Sequence, residues 1–219
     1  MKISTTRMLL ATLALVSGIA HAEAPEETLA ALQRDWAIAN YDKTGDDQVA
    51  AFEALIGNAE RATSANPGSA ELWIWDGIIR SSFAGARGGL GALSLAKASR
   101  ASLEKAMSID ADSLDGSAYT SLGTLYYKVP GWPVGFGNDR KAAEMLGKAL
   151  ELNPDGIDPN YFYADYLISK KDYAAAEQYL LKAQAAAPRP GRDRADAGRQ
   201  SEILAALDVV RDKLHRSGS

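Results

Sequence analysis

Tyr119-Thr-Ser-Leu122-Gly123-Thr-Leu-Tyr126, followed by Ala142, Leu146, Ala149 and Pro154, is the stretch that decides the fold. Tyr119, Leu122, Gly123 and Tyr126 recur at steps of three and four, the spacing that places side chains on one face of a helix. A small residue between larger ones lets a neighbouring helix approach closely while the aromatic fills the space beside it. Ala142, Leu146 and Ala149 repeat the same spacing on a second helix, and Pro154 marks its end, because proline cannot continue a helix.

The second-helix pattern occurs four times. Its members are Leu55, Ala59, Ala62, Pro67; Ser99, Leu103, Ala106, Ala111; Ala142, Leu146, Ala149, Pro154; and Ala176, Leu180, Ala183, Pro188. The key alanines stand 44, 43 and 34 residues apart, and periods of this size indicate a stacked helical array. Partner helices precede them at Ala70 to Ser81, Gly116 to Lys128 and Pro159 to Ser169. The expected architecture is all-α: stacked antiparallel helix pairs in about four units, at 26–67, 70–111, 116–154 and 159–188. A capping helix over about 195–215 follows, its apolar residues Ile203, Leu204, Leu207, Val210 and Leu214 covering the last pair. Residues 23–216 then form one domain, a size sufficient for a single core.

Residues 116–188 resemble tetratricopeptide repeats, with Asp172-Tyr173 at the inter-helix turn of the last unit. The likeness is looser over 70–111, where Ala111 replaces the usual proline and Asp76 stands where Leu122 stands in the next unit, and weakest over 26–67. The resemblance implies a solenoid that binds a protein or peptide partner on its concave face. On that face the exposed positions are expected to be Thr120, Thr124, Tyr127 and Lys128, then Tyr161, Asp165 and Ser169. A solvated groove without ligand is the competing reading. The exported location, few repeats and a glycine-containing loop within a repeat also resemble the periplasmic T-component of TRAP transporters. That likeness implies a small-molecule carrier, although the chain lacks the lipid-anchoring cysteine.

Two units are longer than the last. From the small residue of the first helix to the alanine of the second is 19 residues in the last unit (Ala164 to Ala183), 26 in the third (Gly123 to Ala149) and 29 in the second (Gly77 to Ala106). The extra residues read as two loops, Phe83 to Gly91 and Val129 to Gly137, and corresponding turns of a solenoid lie on one edge. Trp132 and Phe136 in the second loop either fold back over the helix ends or frame a partner site together with the loop around Phe83.

Chemistry is sparsely supplied. The chain has no cysteine, and after residue 22 its one histidine is His215, so nucleophilic triads and His/Cys zinc sites lack their residues. No cofactor or catalytic residue is expected. Asp42 to Glu53 has some offsets of a calcium-binding loop, but Asp47 stands where glycine is needed, so an inter-helix turn with Asp46 or Asp47 capping the next helix is favoured. Gly85, Gly88, Gly89 and Gly91 follow a helix rather than a strand and lack a Gly-Lys-Ser/Thr ending, which favours packing or a turn over phosphate binding.

The N-terminus has Lys2 and Arg7, the apolar run Met8 to Val16, then Ala20-His21-Ala22, the order of a cleavable secretory signal. The run is far shorter than the roughly 20 residues of a membrane-spanning helix. The expected compartment is the periplasm. Loss of residues 1–22 takes two of the 24 basic residues, leaving 22 against 28 acids and a net charge of −6. A negative chain is not built for nucleic acid or anionic lipid, which reward basic patches. The exported chain should begin at Glu23, which N-terminal sequencing of the secreted protein will read; recovery of an intact Met1 chain would overturn export.

Overall fold

The computed structural model describes residues 24–217; the expected signal segment, residues 1–22, lies outside them. Nine helices are found among the described residues: α1 (Pro25–Tyr41), α2 (Gly45–Ala65), α3 (Ala70–Arg87), α4 (Gly89–Ile109), α5 (Ser113–Lys128), α6 (Asp139–Leu152), α7 (Ile157–Ser169), α8 (Tyr173–Ala185) and α9 (Asp193–Ser217). They stack as antiparallel pairs α1–α2, α3–α4, α5–α6 and α7–α8, with α9 against α8. The fold is the all-α, tetratricopeptide-like stack that the repeat spacing predicts.

The repeat positions are the core. Leu55, Ala59, Ala62, Ser99, Leu103, Ala106, Ala142, Leu146, Ala149, Ala176, Leu180 and Ala183 are all at most 5% exposed, so one spacing accounts for the buried face of every second helix. Small residues make the pairs close. A Cβ on Gly77 would stand 2.6 Å from Leu103 Cγ, and one on Gly123 would stand 2.6 Å from Leu146 Cγ. The second unit departs from its neighbours in two polar positions, and each has a partner, although Asp76 Oδ1 is covered without one. Ser99 donates its hydroxyl to the Gly77 carbonyl at 2.6 Å. Buried Asp76 accepts from Arg80 Nε at 2.8 Å and from the Ser102 hydroxyl, and Arg80 continues to Glu60 on α2 at 2.8 Å.

Helix starts follow capping chemistry. Ser69, Asn138 and Asp172 accept from the backbone N–H of Leu72, Lys141 and Ala175. Asn160, fully buried, donates to the carbonyls of Pro154 and Gly156 at 2.8 Å each and so fixes the turn into α7. Asp42 to Thr44 form the α1–α2 turn, but neither Asp46 nor Asp47 caps α2. Thr44 occupies the cap position, and both aspartates lie in the first turn, where they complement the helix dipole.

Two expectations are corrected. Phe83 to Gly91 is not an inserted loop: α3 runs on to Arg87, Gly88 and Gly89 take φ of +60° and +62°, and α4 begins at once. Only glycine adopts such a pair of dihedrals without strain, so the extra residues lengthen both helices. Phe83 is core, stacked on Phe52 with ring centroids 5.7 Å apart. Val129 to Gly137 is a true loop, closed by a Gly131–Gly137 bridge, and it does lie beside α4, with Arg100 over the Phe136 ring at 5.2 Å.

The larger correction concerns α9. It covers the last pair through Ile203, Leu207 and Val210, whereas Leu204 is 51% exposed. Its N-terminal half also reaches α1. Ala195 belongs to the buried cluster of Leu32, Trp36, Phe52 and Trp75, the Tyr41 ring lies on Gly198, and Arg194 pairs with Asp42. The helix therefore bridges the two ends of the stack.

The glycine contacts yield a paired test. Gly123→Ala should lower stability by about 1–3 kcal/mol, because its Cβ would meet the branch point of Leu146 and come within 3.1 Å of that residue's backbone nitrogen. Gly147→Ala on α6 meets nothing within 4 Å and should raise stability by about 0.5–1 kcal/mol. Urea midpoints of the two variants check both signs.

Candidate functional site

Bending the stack until α9 touches α1 encloses a cavity of about 700 Å³ on the concave side. Its wall comes from the first helix of every pair: Trp36 and Asn40 of α1, Trp75 and Ser82 of α3, Ser121 and Thr124 of α5, Tyr161 and Asp165 of α7. The α8–α9 connection and α9 complete it with Arg189, Arg192, Arg199 and Glu202. The second helices contribute core and leave the cavity to their partners. At the base of α5, Leu114, Asp115 and Gly116 have positive φ, and this tight turn sets Leu114 and Asp115 in the wall.

One side of the cavity is aromatic. Trp36 meets Trp75 edge-on at 5.6 Å and Tyr41 edge-on at 5.7 Å, while its indole N–H donates to Ser82 at 2.8 Å. The other side is an ion network joining α7 to α9. Asp158 pairs with Arg199 Nε at 2.9 Å and Arg189 Nη1 at 2.6 Å; Arg189 also binds Asp196 at 2.6 Å, and Arg199 also binds Glu202. The Arg199 guanidinium, 9% exposed, lies 4.4 Å from the Tyr161 ring centroid and 4.6 Å from that of Phe162.

These neighbours set the ionisation. Burial alone would raise the Asp158 carboxyl, but the charges of Arg199 and Arg189 outweigh it and hold the group down at about 2. Burial pushes the Tyr41 and Tyr161 phenols up to about 12 against the opposing charge of Arg199. The Tyr127 phenol is raised further, by burial and then by Asp165, to which it donates at 2.6 Å.

Arg192 differs from its neighbours. Its guanidinium lies 4.8 Å from the Trp75 ring centroid, and its Nε is covered and has no hydrogen-bond partner. Burial, then the charge of Arg189, lowers its proton affinity.

Of the residues expected on the concave face, Thr124, Lys128, Tyr161 and Asp165 do line the cavity. Lys128 reaches Asp165 across the α5–α7 gap at 2.6 Å. Thr120 also borders the cavity, but it is buried rather than exposed. Tyr127 is turned sideways onto Tyr166 and Asp165 and contributes by holding Asp165. Trp132 and Phe136 lie outside the cavity and behave differently from each other. Phe136 packs edge-on against Tyr126, 6.0 Å between centroids, whereas Trp132 is 90% exposed and covers no core.

The sequence reading missed Trp36, Trp75, Arg189, Arg192, Arg199 and Glu202. Two signals were available. Arg189, Arg192 and Arg194 crowd the short stretch between the last unit and the capping helix, and Gly198 interrupts an otherwise ordinary helix, a costly choice unless something packs there.

No family model matches the chain, and no curated protein does. Among solved structures the chain is similar to two crystal structures of MamA. One aligns with a TM-score of 0.44 at 17% identity, covering 77% of this chain and 92% of that one. The other aligns with a TM-score of 0.43 at 17% identity, covering 88% and 95%.

The depressed Asp158 carboxyl predicts a pH dependence. Its contribution is present above the unfolded carboxyl value near 3.8 and is lost as pH falls towards 2, about 2 kcal/mol in all. Asp158→Asn should therefore be destabilised at pH 6 by about 2–4 kcal/mol, since it leaves Arg199 and Arg189 short of a partner. The gap should narrow towards pH 2. Urea unfolding across this range checks it, and a gap independent of pH would show that the charge is not what matters.

Proposed function

We propose that the chain is an exported, non-catalytic helical-repeat scaffold that holds a short segment of a partner polypeptide in its concave cavity. The observation that carries this reading is the composition of the wall: the first helix of every pair supplies it, and its surface mixes aromatic rings with hydroxyl, amide and charged groups. Aromatic faces bind apolar side chains, while Ser121, Thr124, Asn40 and Asp165 offer hydrogen bonds to a backbone that would otherwise lose them to water. The expected alternative of an apolar cavity framed by the two inserted loops finds no support, because one of those segments is helix and neither lines the cavity.

Export to the periplasm through the segment ending at Ala22 is part of the same proposal and rests on the order of that segment. Among the described residues no helix is long and apolar enough to cross a membrane. Trp132 belongs to the proposal as an outer contact: an indole with 90% exposure on a loop stiffened by Pro130 and Pro133 suits a protein surface. The negative net charge speaks against nucleic acid as the partner.

A small-molecule carrier is the second reading, and ring closure favours it. A volume of about 700 Å³ is within the range of small-ligand pockets, on the order of 300–1,000 Å³.

A photo-reactive amino acid separates the two. Placed at Ser121 in the cavity wall, it should capture a polypeptide from an extract of the source cells; at Lys148 on the outer helix α6 it should capture none. Equal capture from both positions would overturn the cavity as the site. Native mass spectrometry of protein purified from those cells reads the other outcome, a bound species of a few hundred daltons without any cross-linked chain.

A further inference from the structure

The cavity wall holds four cations, Lys128, Arg189, Arg192 and Arg199, and five carboxylates, Asp115, Asp155, Asp158, Asp165 and Glu202. Asp158 is held by Arg199 and Arg189, Asp196 by Arg189, Glu202 by Arg199, and Asp165 by Lys128 and Tyr127. Arg192 has no ion pair among the described residues. It is partly buried, faces the cavity, and feels the like charge of Arg189 more strongly than the opposite charges of Asp158 and Asp196, with neither of which it pairs. A partly desolvated guanidinium with a covered, unbonded N–H and no paired carboxylate is costly, and such groups are ordinarily paired. Trp75 offers its ring face to the cation but cannot neutralise it. The Tyr41 hydroxyl, which interacts electrostatically with Arg192, is itself covered and without a hydrogen-bond partner.

We propose that Arg192, set over Trp75, is a subsite for one carboxylate of the molecule held in the cavity. It rests on the reading of the cavity as the binding site and adds the chemical class of what enters. The preference for a single charge follows from the carboxylates around Arg192. One cation is unpaired, and the nearby carboxylates Asp158 and Glu202 repel a dianion such as phosphate more strongly than a monoanion. The planar fork of a guanidinium suits the two oxygens of a carboxylate, and a half-buried setting strengthens that pair relative to water. Trp75 and Trp36 beside it accept an apolar or aromatic body attached to the carboxylate. Such a carboxylate can come from a free organic acid or from an acidic side chain of a peptide.

The test uses the mature chain labelled with ¹⁵N, in which each tryptophan indole N–H gives its own signal. Benzoate should shift the Trp75 signal saturably, and benzamide, its neutral counterpart of the same shape, should bind at least ten-fold more weakly. Arg192→Gln should reduce benzoate to the level of benzamide while the remaining amide spectrum keeps its dispersion, since this side chain makes no ion pair that the fold relies on. Arg192→Lys, with the charge but without the fork, should fall between. Acetyl-Gly-Glu-Gly-amide against its glutamine counterpart supplies the peptide arm. A shift by the glutamate peptide alone assigns the carboxylate to a chain, and a shift by benzoate alone assigns it to a free acid. Equal binding of benzoate and benzamide would overturn the subsite while leaving the cavity as a site. Failure of both acids to shift Trp75 would overturn it as well, and cross-linking from Ser121 would still report separately on the cavity.

Discussion

The close approach of α9 to α1 is the contact on which the functional geometry depends. A Cβ on Gly198 would stand 2.4 Å from the Tyr41 ring, so only glycine lets that ring lie against the helix. Once the ring is seated, Ala195 enters the core of the first pair and Arg194 reaches Asp42. Fourteen residues on from Ala195, Val209 faces solvent while Val210 is buried in the last core, so one helix serves both ends of the stack. An array that would otherwise present an open trough becomes a ring around a cavity. The same contact brings Trp36 and Trp75 opposite the arginines of the α8–α9 segment, residues that are far apart along the chain.

The repeats and the ring use one physical device at different scales. Within the second and third pairs, Gly77 and Gly123 admit a leucine from the partner helix, and dispersion between closely spaced surfaces holds the pair. Between the ends, Gly198 admits a tyrosine. Most buried polar side chains find at least one partner. Ser99 takes the carbonyl exposed by the close approach at Gly77, Asp76 takes Arg80 and Ser102, and Asn160 takes two carbonyls of the turn before α7. Covered atoms without a partner are Tyr41 Oη, Asp76 Oδ1, Asn160 Oδ1 and Arg192 Nε among the described residues, and of these residues Arg192 is the cation that lines the cavity without an ion pair.

The ion network around Asp158 has a structural consequence besides its charge. Asp158 lies on α7, while Arg189 precedes α9 and Arg199 is within it. Buried pairs of this kind contribute little net stability compared with apolar packing, but they are intolerant of misplacement because a displaced charge stays desolvated. The network therefore orients α9 on α7 and so sets the direction in which its N-terminal half meets α1. Tyr161 and Phe162 flank the Arg199 guanidinium and exclude water from it, which strengthens the same constraint.

The sequence by itself determined the all-α class, the pairing of helices and the buried face of each second helix, because a spacing of four and three residues has one geometric meaning on a helix. It also determined where helices stop, since Pro67, Pro154 and Pro188 each follow a helix end within three residues. It located five cavity residues, Thr120, Thr124, Lys128, Tyr161 and Asp165, because the inner face of a stacked pair follows from the same periodicity. Tertiary structure decided the rest. Whether Phe83 to Gly91 loops out or extends two helices depends on two glycine dihedrals that composition does not specify. Whether α9 merely caps the last pair or closes the ring depends on the accumulated curvature of four pairs, a sum over every interface. No local pattern encodes that sum, so Arg192 and the Trp75 ring it faces, 117 residues apart along the chain, become neighbours only once the whole stack is built.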